Sequence, residues 1–141
     1  VAAWKPNERL ERDHLGAIPR CNVSIKISSL HAHTDPIDIE GSIRGLMTAV
    51  LPILEAARRR GVFVNFDMEH HALKDLTLEL FMRCCEAVDF EAGLAMQAYL
   101  RTGDEDAERI IAWSRRTGRR VTVRLVKGAY WDYETIHAEQ E

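Results

Sequence analysis

The sequence has only three cysteines in 141 residues, Cys21, Cys84 and Cys85. An odd count with one adjacent pair offers no disulfide framework, so a reducing compartment is expected. No C-x-x-C spacing occurs, and Cys84-Cys85 sits in a helical pattern where buried small apolar residues belong. No apolar run reaches the roughly 18 residues of a membrane span. The opening VAAWKPNERLERDHLG lacks the apolar centre of a secretory leader. It also lacks an initiator Met, as an excised piece of a longer protein would. Nor is there a basic excess: 19 Lys and Arg face 22 Asp and Glu, a formal net charge of −3. That excludes a bulk field for nucleic acid or anionic lipid. The arginine clusters at 58–60, 115–116 and 119–120 each fall near the end of a helical pattern, where cations suit the helix dipole. Neither G-x-G-x-x-G nor G-x-x-x-x-G-K-[ST] follows any strand-like run, which removes support for nucleotide-binding open sheets.

What is present is ordinary globular composition, 46% hydrophobic and 29% charged, at a length suited to one domain. Four strand-like runs stand out: NVSIKISSL from Asn22, VFVNFD from Val62, GLAMQAYL from Gly93 and RVTVRLV from Arg120. A turn-like break and then a helical stretch follow each. The first helix is expected over about 42–60, with Ile43, Leu46, Met47, Val50 and Leu54 as its apolar stripe. Gly61 should stop it and Pro52 should kink it. The second is expected over about 73–88, with Leu76, Leu80, Phe81 and Cys84 at helical spacing. A third should begin after Gly103 behind Asp104, Glu105 and Asp106, bury Ile110, Ile111 and Trp113, and end at Gly118. A fourth should start near Tyr133. Residues 1–21 read as an N-terminal arm or linker and 22–141 as the ordered unit. Strands alternating with helices imply right-handed βαβ units and a parallel sheet. An open doubly wound sheet and a (β/α)8 barrel both fit. A whole barrel takes about 250 residues, so four units make about half of one.

Alternation along the strands separates two faces. Val23, Ile25, Ile27, Val62, Val64, Phe66, Leu94, Met96, Val121, Val123 and Leu125 form an aliphatic face for helices. The opposite face is small and polar, and each run places one functional group there near its C-terminal end: Lys26, Asp67, Gln97 and Arg124. Burying such groups unpaired would cost several kcal/mol each. Structural ion pairs would absorb that cost. A polar, planar ligand at the C-terminal face of a barrel, where barrel active sites lie, explains the position as well.

His31 and His33, on alternate positions after the first run, have the spacing of a metal-hydrolase pair. A metal-dependent amidohydrolase-like barrel using His31/His33 is therefore the alternative reading. It lacks histidines from later strands, where Gln97 and Arg124 stand instead, and an Arg is a poor neighbour for a divalent cation. Without further context, Gly128 reads as a strand-to-loop turn, and Tyr130 and Trp131 read as packing at a loop.

VSIKISSL (23–30), NFDMEHH (65–71), AMQAYL (95–100) and VRLVKGAYWD (123–132), in that order, resemble the consecutive strand motifs of FAD-dependent proline dehydrogenase. The likeness is strongest to the domain in large bacterial bifunctional proline-utilisation proteins and covers residues 19–141. KISSL and DMEH stand where the family pattern reads nearer to KLSAL and DAEE. The resemblance implies the α/β class, as a partial (β/α)8 TIM-like barrel of about four βα units. It implies FAD as cofactor and oxidation of L-proline to Δ1-pyrroline-5-carboxylate, by hydride transfer from C5 to flavin N5. Electrons would pass to a quinone from a cytoplasmic parent, peripheral at the inner membrane, within a longer polypeptide that includes an aldehyde dehydrogenase domain in some members. No nucleic acid contact is implied for this segment.

By motif, Arg124 would lie at flavin N5 and stabilise charge on the reduced ring. Asp67, Gln97, Val126, Gly128, Ala129, Tyr130 and Trp131 would line the FAD site with it. Lys26, Asp67 and Tyr130 would meet substrate, with Arg124, Lys26 and Asp67 as the catalytic set and no metal. Gly128, lacking Cβ, would let backbone approach the cofactor. A late helix with an arginine pair for the proline carboxylate is also implied, and no segment of the 141 residues matches it. The isolated chain is therefore expected to be inactive.

Overall fold

The computed structural model describes Lys5 and residues 7–140. The rest of the expected arm, residues 1–4 and 6, lies outside the described residues. A short antiparallel hairpin comes first, β1 (Arg12–Asp13) and β2 (Gly16–Ala17). Its turn is built locally: the Asp13 carboxylate accepts from the backbone N–H groups of Leu15 (2.7 Å) and Gly16 (3.1 Å), and Gly16 takes φ +129°.

Four parallel strands follow, β3 (Cys21–Ile25), β4 (Val62–Phe66), β5 (Glu91–Gln97) and β6 (Thr122–Val126). Four helices alternate with them, α1 (Ile39–Arg60), α2 (Lys74–Ala87), α3 (Gly103–Thr117) and α4 (Trp131–Gln140). The strands lie side by side in chain order, β3-β4-β5-β6. A doubly wound sheet reverses its order at a switch point. No reversal occurs here, so the units succeed one another as in a (β/α)8 barrel.

The core lies on the outer side of the sheet. Ile25, Val64, Phe66, Leu94 and Met96 meet Leu46, Val50 and Leu54 of α1, Leu76, Leu80 and Phe81 of α2, and Ile110 and Trp113 of α3. Phe66 and Phe81 make an edge-to-face pair with ring centroids 5.4 Å apart. Trp113 turns its ring N–H to the Glu86 carboxylate at 2.8 Å. Cys84 and Cys85 are buried, and burial pushes both thiols up to about 12. They pack rather than react.

Several boundaries differ from the sequence expectation. The first strand stops at Ile25, not Leu30. Lys26 is still extended, but Ile27–Ser29 close a 3-10 turn, with the Ser29 hydroxyl donating to the Lys26 carbonyl at 2.7 Å. The third strand runs 91–97 rather than 93–100. The first helix starts three residues early because Asp38 caps it, accepting from Gly41 N at 2.9 Å. It continues through Pro52, which faces solvent. Gly61 and Gly118 end α1 and α3 in the left-handed region, as expected. Ile111, expected in the core, is 48% exposed. The last helix starts at Trp131 and buries none of its residues, so Val123 and Leu125 on the outer face of β6 remain exposed.

One buried charge was invisible to periodicity. The Lys74 ammonium, at the start of α2, bonds Asp106 of α3 at 2.7 Å, with both side chains nearly excluded from solvent. Burial works against the ammonium, yet its bonds to Asp106 and Asp75 outweigh this and hold its pKa above the usual lysine value. Lys74→Met should therefore destabilise the protein by about 3 kcal/mol by stranding Asp106, measured by urea denaturation. Adding Asp106→Leu should recover most of that loss. A single variant within about 1 kcal/mol of wild type would mean the pair is open to solvent.

Candidate functional site

The strand register brings the candidate residues to one level. Ser24 pairs with Asn65, Asn65 with Gly93, and Gly93 with Thr122. Two residues further along, Lys26, Asp67, Ala95 and Arg124 fall in a row across the C-terminal ends of the strands. Asp67 N donates to Ile25 O at 2.9 Å, continuing the ladder past β4. Residues at these strand ends, most of them on the inner face, line a cavity of about 670 Å3. Lys26, Asp67, Gln97, Arg124, Val126, Ala129 and Tyr130 all line it, together with Met68, Ala95, Leu125 and Lys127. Gly128 and Trp131 do not. They line an adjoining hollow of about 490 Å3 with Lys127, Tyr130 and Asp132.

Arg124 Nη2 meets Asp67 Oδ1 at 2.5 Å. The two strands are not neighbours, so the pair spans β5, passing the small Ala95. Asn65 Nδ2 donates to the same Asp67 oxygen at 2.9 Å and fixes it from below. Asn65 and Phe63 in turn need Gly93, because a Cβ there would come within 2.3 Å of the Phe63 ring and 3.0 Å of Asn65 Oδ1. The expected burial of all four polar groups is corrected. Gln97 is buried, Asp67 is half-buried, and Lys26 and Arg124 are exposed. At the C-terminal ends the inner face opens to the cavity, while Asp13, Leu15, Ala17 and Ile18 of the hairpin segment border its lower part. Of the four groups only Gln97 carries the several-kcal/mol burial penalty.

Gln97 Nε2 donates to Glu69 O at 2.9 Å and to the Tyr99 hydroxyl at 2.8 Å. Its Oε1 is buried with no hydrogen-bond partner. Tyr99 donates to the Ala129 carbonyl. Next to Ala129, Tyr130 takes φ +65°, a left-handed backbone rare for a bulky residue. Tyr130 and Trp131 are 37% and 60% exposed, so they are not loop packing. A Cβ at Gly128 would meet nothing within 4 Å, so no neighbouring side chain demands that glycine.

Sequence reasoning missed Glu69. Its carboxylate is buried and accepts from Ser28 N (3.1 Å) and Ser28 Oγ (2.5 Å), tying the turn after Lys26 to the end of β4. The available signal was its position, two residues beyond Asp67. Tyr99 stands likewise two beyond Gln97.

The histidines separate. His31 and His33 stack edge-to-face, centroids 5.8 Å apart, and the His31 ring sits over α1, 2.4 Å from where a Cβ on Gly45 would be. His70 lies beside Tyr133 of α4, and His71 N donates to Glu134 at 2.5 Å. No group of three His, Cys, Asp or Glu among the described residues is placed to hold a metal.

A proline dehydrogenase family model matches residues 2–141. The chain belongs to the proline dehydrogenase family. It is 34% identical over 122 residues to the bifunctional protein PutA of Rhizobium meliloti, covering 83% of this chain and 10% of that protein. It is 33% identical over 115 residues to the proline dehydrogenase of Deinococcus radiodurans, covering 81% of this chain and 34% of that protein. A crystal structure of proline utilization A from Bdellovibrio bacteriovorus, inactivated by N-propargylglycine, superposes with a TM-score of 0.91 at 39% identity. That match covers 99% of this chain and 15% of the other. The chain thus spans about a tenth of the PutA relatives it matches. Family membership supports the α/β barrel reading and leaves the amidohydrolase alternative without support.

His31→Ala with His33→Ala should leave the flavin content and turnover of the full-length protein unchanged within about twofold, about 0.4 kcal/mol. Metal analysis that finds one zinc per chain, removed by this double change, would reverse the packing assignment.

Proposed function

We propose that this chain supplies half of a proline dehydrogenase site, in which L-proline is oxidised to Δ1-pyrroline-5-carboxylate with FAD as the acceptor. The observation that carries the reading is the Asp67–Arg124 pair, steadied by Asn65, beside the buried, unpartnered Gln97 Oε1, with Asp67, Arg124 and Gln97 lining one cavity. Three cations, Lys26, Arg124 and Lys127, face one carboxylate there. That balance suits an anionic cofactor and an amino-acid carboxylate. The unpartnered acceptor suits a ligand that brings its own N–H or O–H donor.

FAD, when bound, supplies a two-electron acceptor: proline C5 gives up a hydride, its nitrogen loses a proton, and a C=N bond forms. The chain's residues set the surroundings of that transfer. With FAD bound, Arg124 would hold positive charge where electron density accumulates, and Asp67, itself held by Asn65, keeps the guanidinium from swinging away. Lys26 pairs with no carboxylate among the described residues and lies in the same row, so its ammonium is available to a substrate carboxylate. Val126, Ala129 and Tyr130 would hold the cofactor in the main cavity, and Gly128 and Trp131 would meet it from the adjoining hollow, where Gly128 adds no side chain.

Onward transfer to a quinone, a cytoplasmic parent peripheral at the inner membrane, and residence within a larger polypeptide complete the proposal. The large PutA relatives support the last of these. Among the described residues no helix is long and apolar enough to cross a membrane. Residues 1–21 are proposed as an arm ahead of the barrel segment 22–141. In support, the hairpin β1–β2 pairs with itself and joins no strand of the sheet.

Arg124→Met in the full-length protein should lower proline oxidation at least a hundredfold, about 2.7 kcal/mol, with the circular dichroism spectrum preserved. A proline:quinone-analogue assay measures it. Turnover within about threefold of wild type, about 0.7 kcal/mol, would remove Arg124 from the catalytic set.

A further inference from the structure

Tyr99 has no place in the chemistry described so far, yet its hydroxyl joins two sides of the cavity. It is half-buried just beyond β5. It donates to Ala129 O and accepts from Gln97 Nε2 at 2.8 Å. A phenol has one proton. With that proton directed at Ala129, the Tyr99 oxygen faces Gln97 only as an acceptor. The other partner of the amide, Glu69 O at 2.9 Å, is a carbonyl and can only accept. Turning the amide over would set Gln97 Oε1 against two acceptors and its NH2 group at the buried, unpartnered position beside the cavity. The observed orientation does the reverse: both N–H bonds are used, and Oε1 is left buried and unmatched.

We propose that Tyr99 is a positioning residue whose hydroxyl dictates which end of the Gln97 amide faces the cavity, so that the site selects a ligand presenting a hydrogen-bond donor there. The proposal rests on the flavin reading for the identity of that ligand. FAD carries suitable donors in its imide N–H and ribityl hydroxyls. Burial, the leading influence on Tyr99, raises its pKa, so the hydroxyl keeps its proton at neutral pH. By holding Ala129, the same hydroxyl also anchors the turn in which Tyr130 adopts its left-handed backbone.

The test is a double-mutant cycle in the full-length protein: wild type, Tyr99→Phe, Gln97→Leu and the pair together, each titrated with FAD after flavin removal. Tyr99→Phe should weaken FAD binding at least tenfold and shift the visible band of the bound flavin. Tyr99→Phe should cost much less binding in the Gln97→Leu background than in wild type, because Tyr99 acts chiefly through Gln97, its bond to Ala129 accounting for any remainder. Additive losses with an unmoved flavin band would overturn the proposal. Gln97→Glu provides a check that does not depend on folding of the Tyr99 variant: it keeps the shape but loses both N–H donors, and should also weaken FAD at least tenfold. Binding within twofold of wild type would overturn the proposal. If wild type binds no FAD, the cofactor reading falls. The role of Tyr99 is then decided by melting temperatures of the ligand-free proteins. A Tyr99→Phe loss that disappears in the Gln97→Leu background supports it, and an equal loss in both backgrounds overturns it.

Discussion

The ion pair between Asp67 and Arg124 depends on an arrangement that no pair of adjacent strands could supply. Neighbouring strands lie about 4.8 Å apart, so a bond from the end of β4 to β6 must cross about twice that distance over β5. The crossing works because β5 offers almost no side chain where the bond passes. Gly93 leaves room for Phe63 and Asn65, and Ala95 leaves room for the pair itself. In-phase pairing of all four strands is the other requirement, since a slip of one residue would turn Arg124 to the outer face. Asp67 and Arg124 are only partly shielded, so the pair contributes little to stability, roughly 0.2–1 kcal/mol. Its consequence is geometric: a guanidinium held in one orientation at the cavity.

A second set of bonds ties the same four strand ends together. Ser28, Glu69, Gln97, Tyr99 and Ala129 form a continuous polar path from the turn after β3 to the loop after β6. Three of its four links join successive βα units, and the fourth, Gln97 to Tyr99, lies within one. The outer core of Phe66, Phe81, Leu94 and Trp113 holds the units to one another, while this path sets the alignment of their ends. Loop residues at barrel rims are otherwise the most adjustable part of the fold.

The parts legible from sequence were those set by period. Alternation along each strand put Lys26, Asp67, Gln97 and Arg124 on one face, and the structure brings all four to one cavity. Helix ends at Gly61 and Gly118 followed from glycine's access to the left-handed region. What escaped depended on contacts between residues far apart in the chain. Glu69 reaches Ser28 across 41 positions, and Lys74 reaches Asp106 across 32. A glutamate and a lysine at those positions look like solvated surface until the partner is known. The early end of the first strand has the same origin: the turn at Ile27–Ser29 is held by Glu69 from the loop after the neighbouring strand. The β1–β2 turn carries a short local signal, Asp13 three residues before Gly16, whose carboxylate accepts from the Leu15 and Gly16 N–H groups.

The emptiness of β5 on its inner face has a thermodynamic side. A barrel interior is ordinarily filled by branched aliphatic side chains; here glycine and alanine cede their space to Phe63, Asn65 and the Asp67–Arg124 pair, and the volume beyond the strand ends stays open as a cavity with the Gln97 acceptor unmatched beside it. A molecule lodged in the cavity would complete the packing and meet the acceptor at once. Its binding energy would then add to the folding energy, in proportion to the logarithm of its concentration over its dissociation constant. The chain would be at its most rigid, and its strand ends best aligned, only when loaded. Occupancy and fold integrity would rise and fall together.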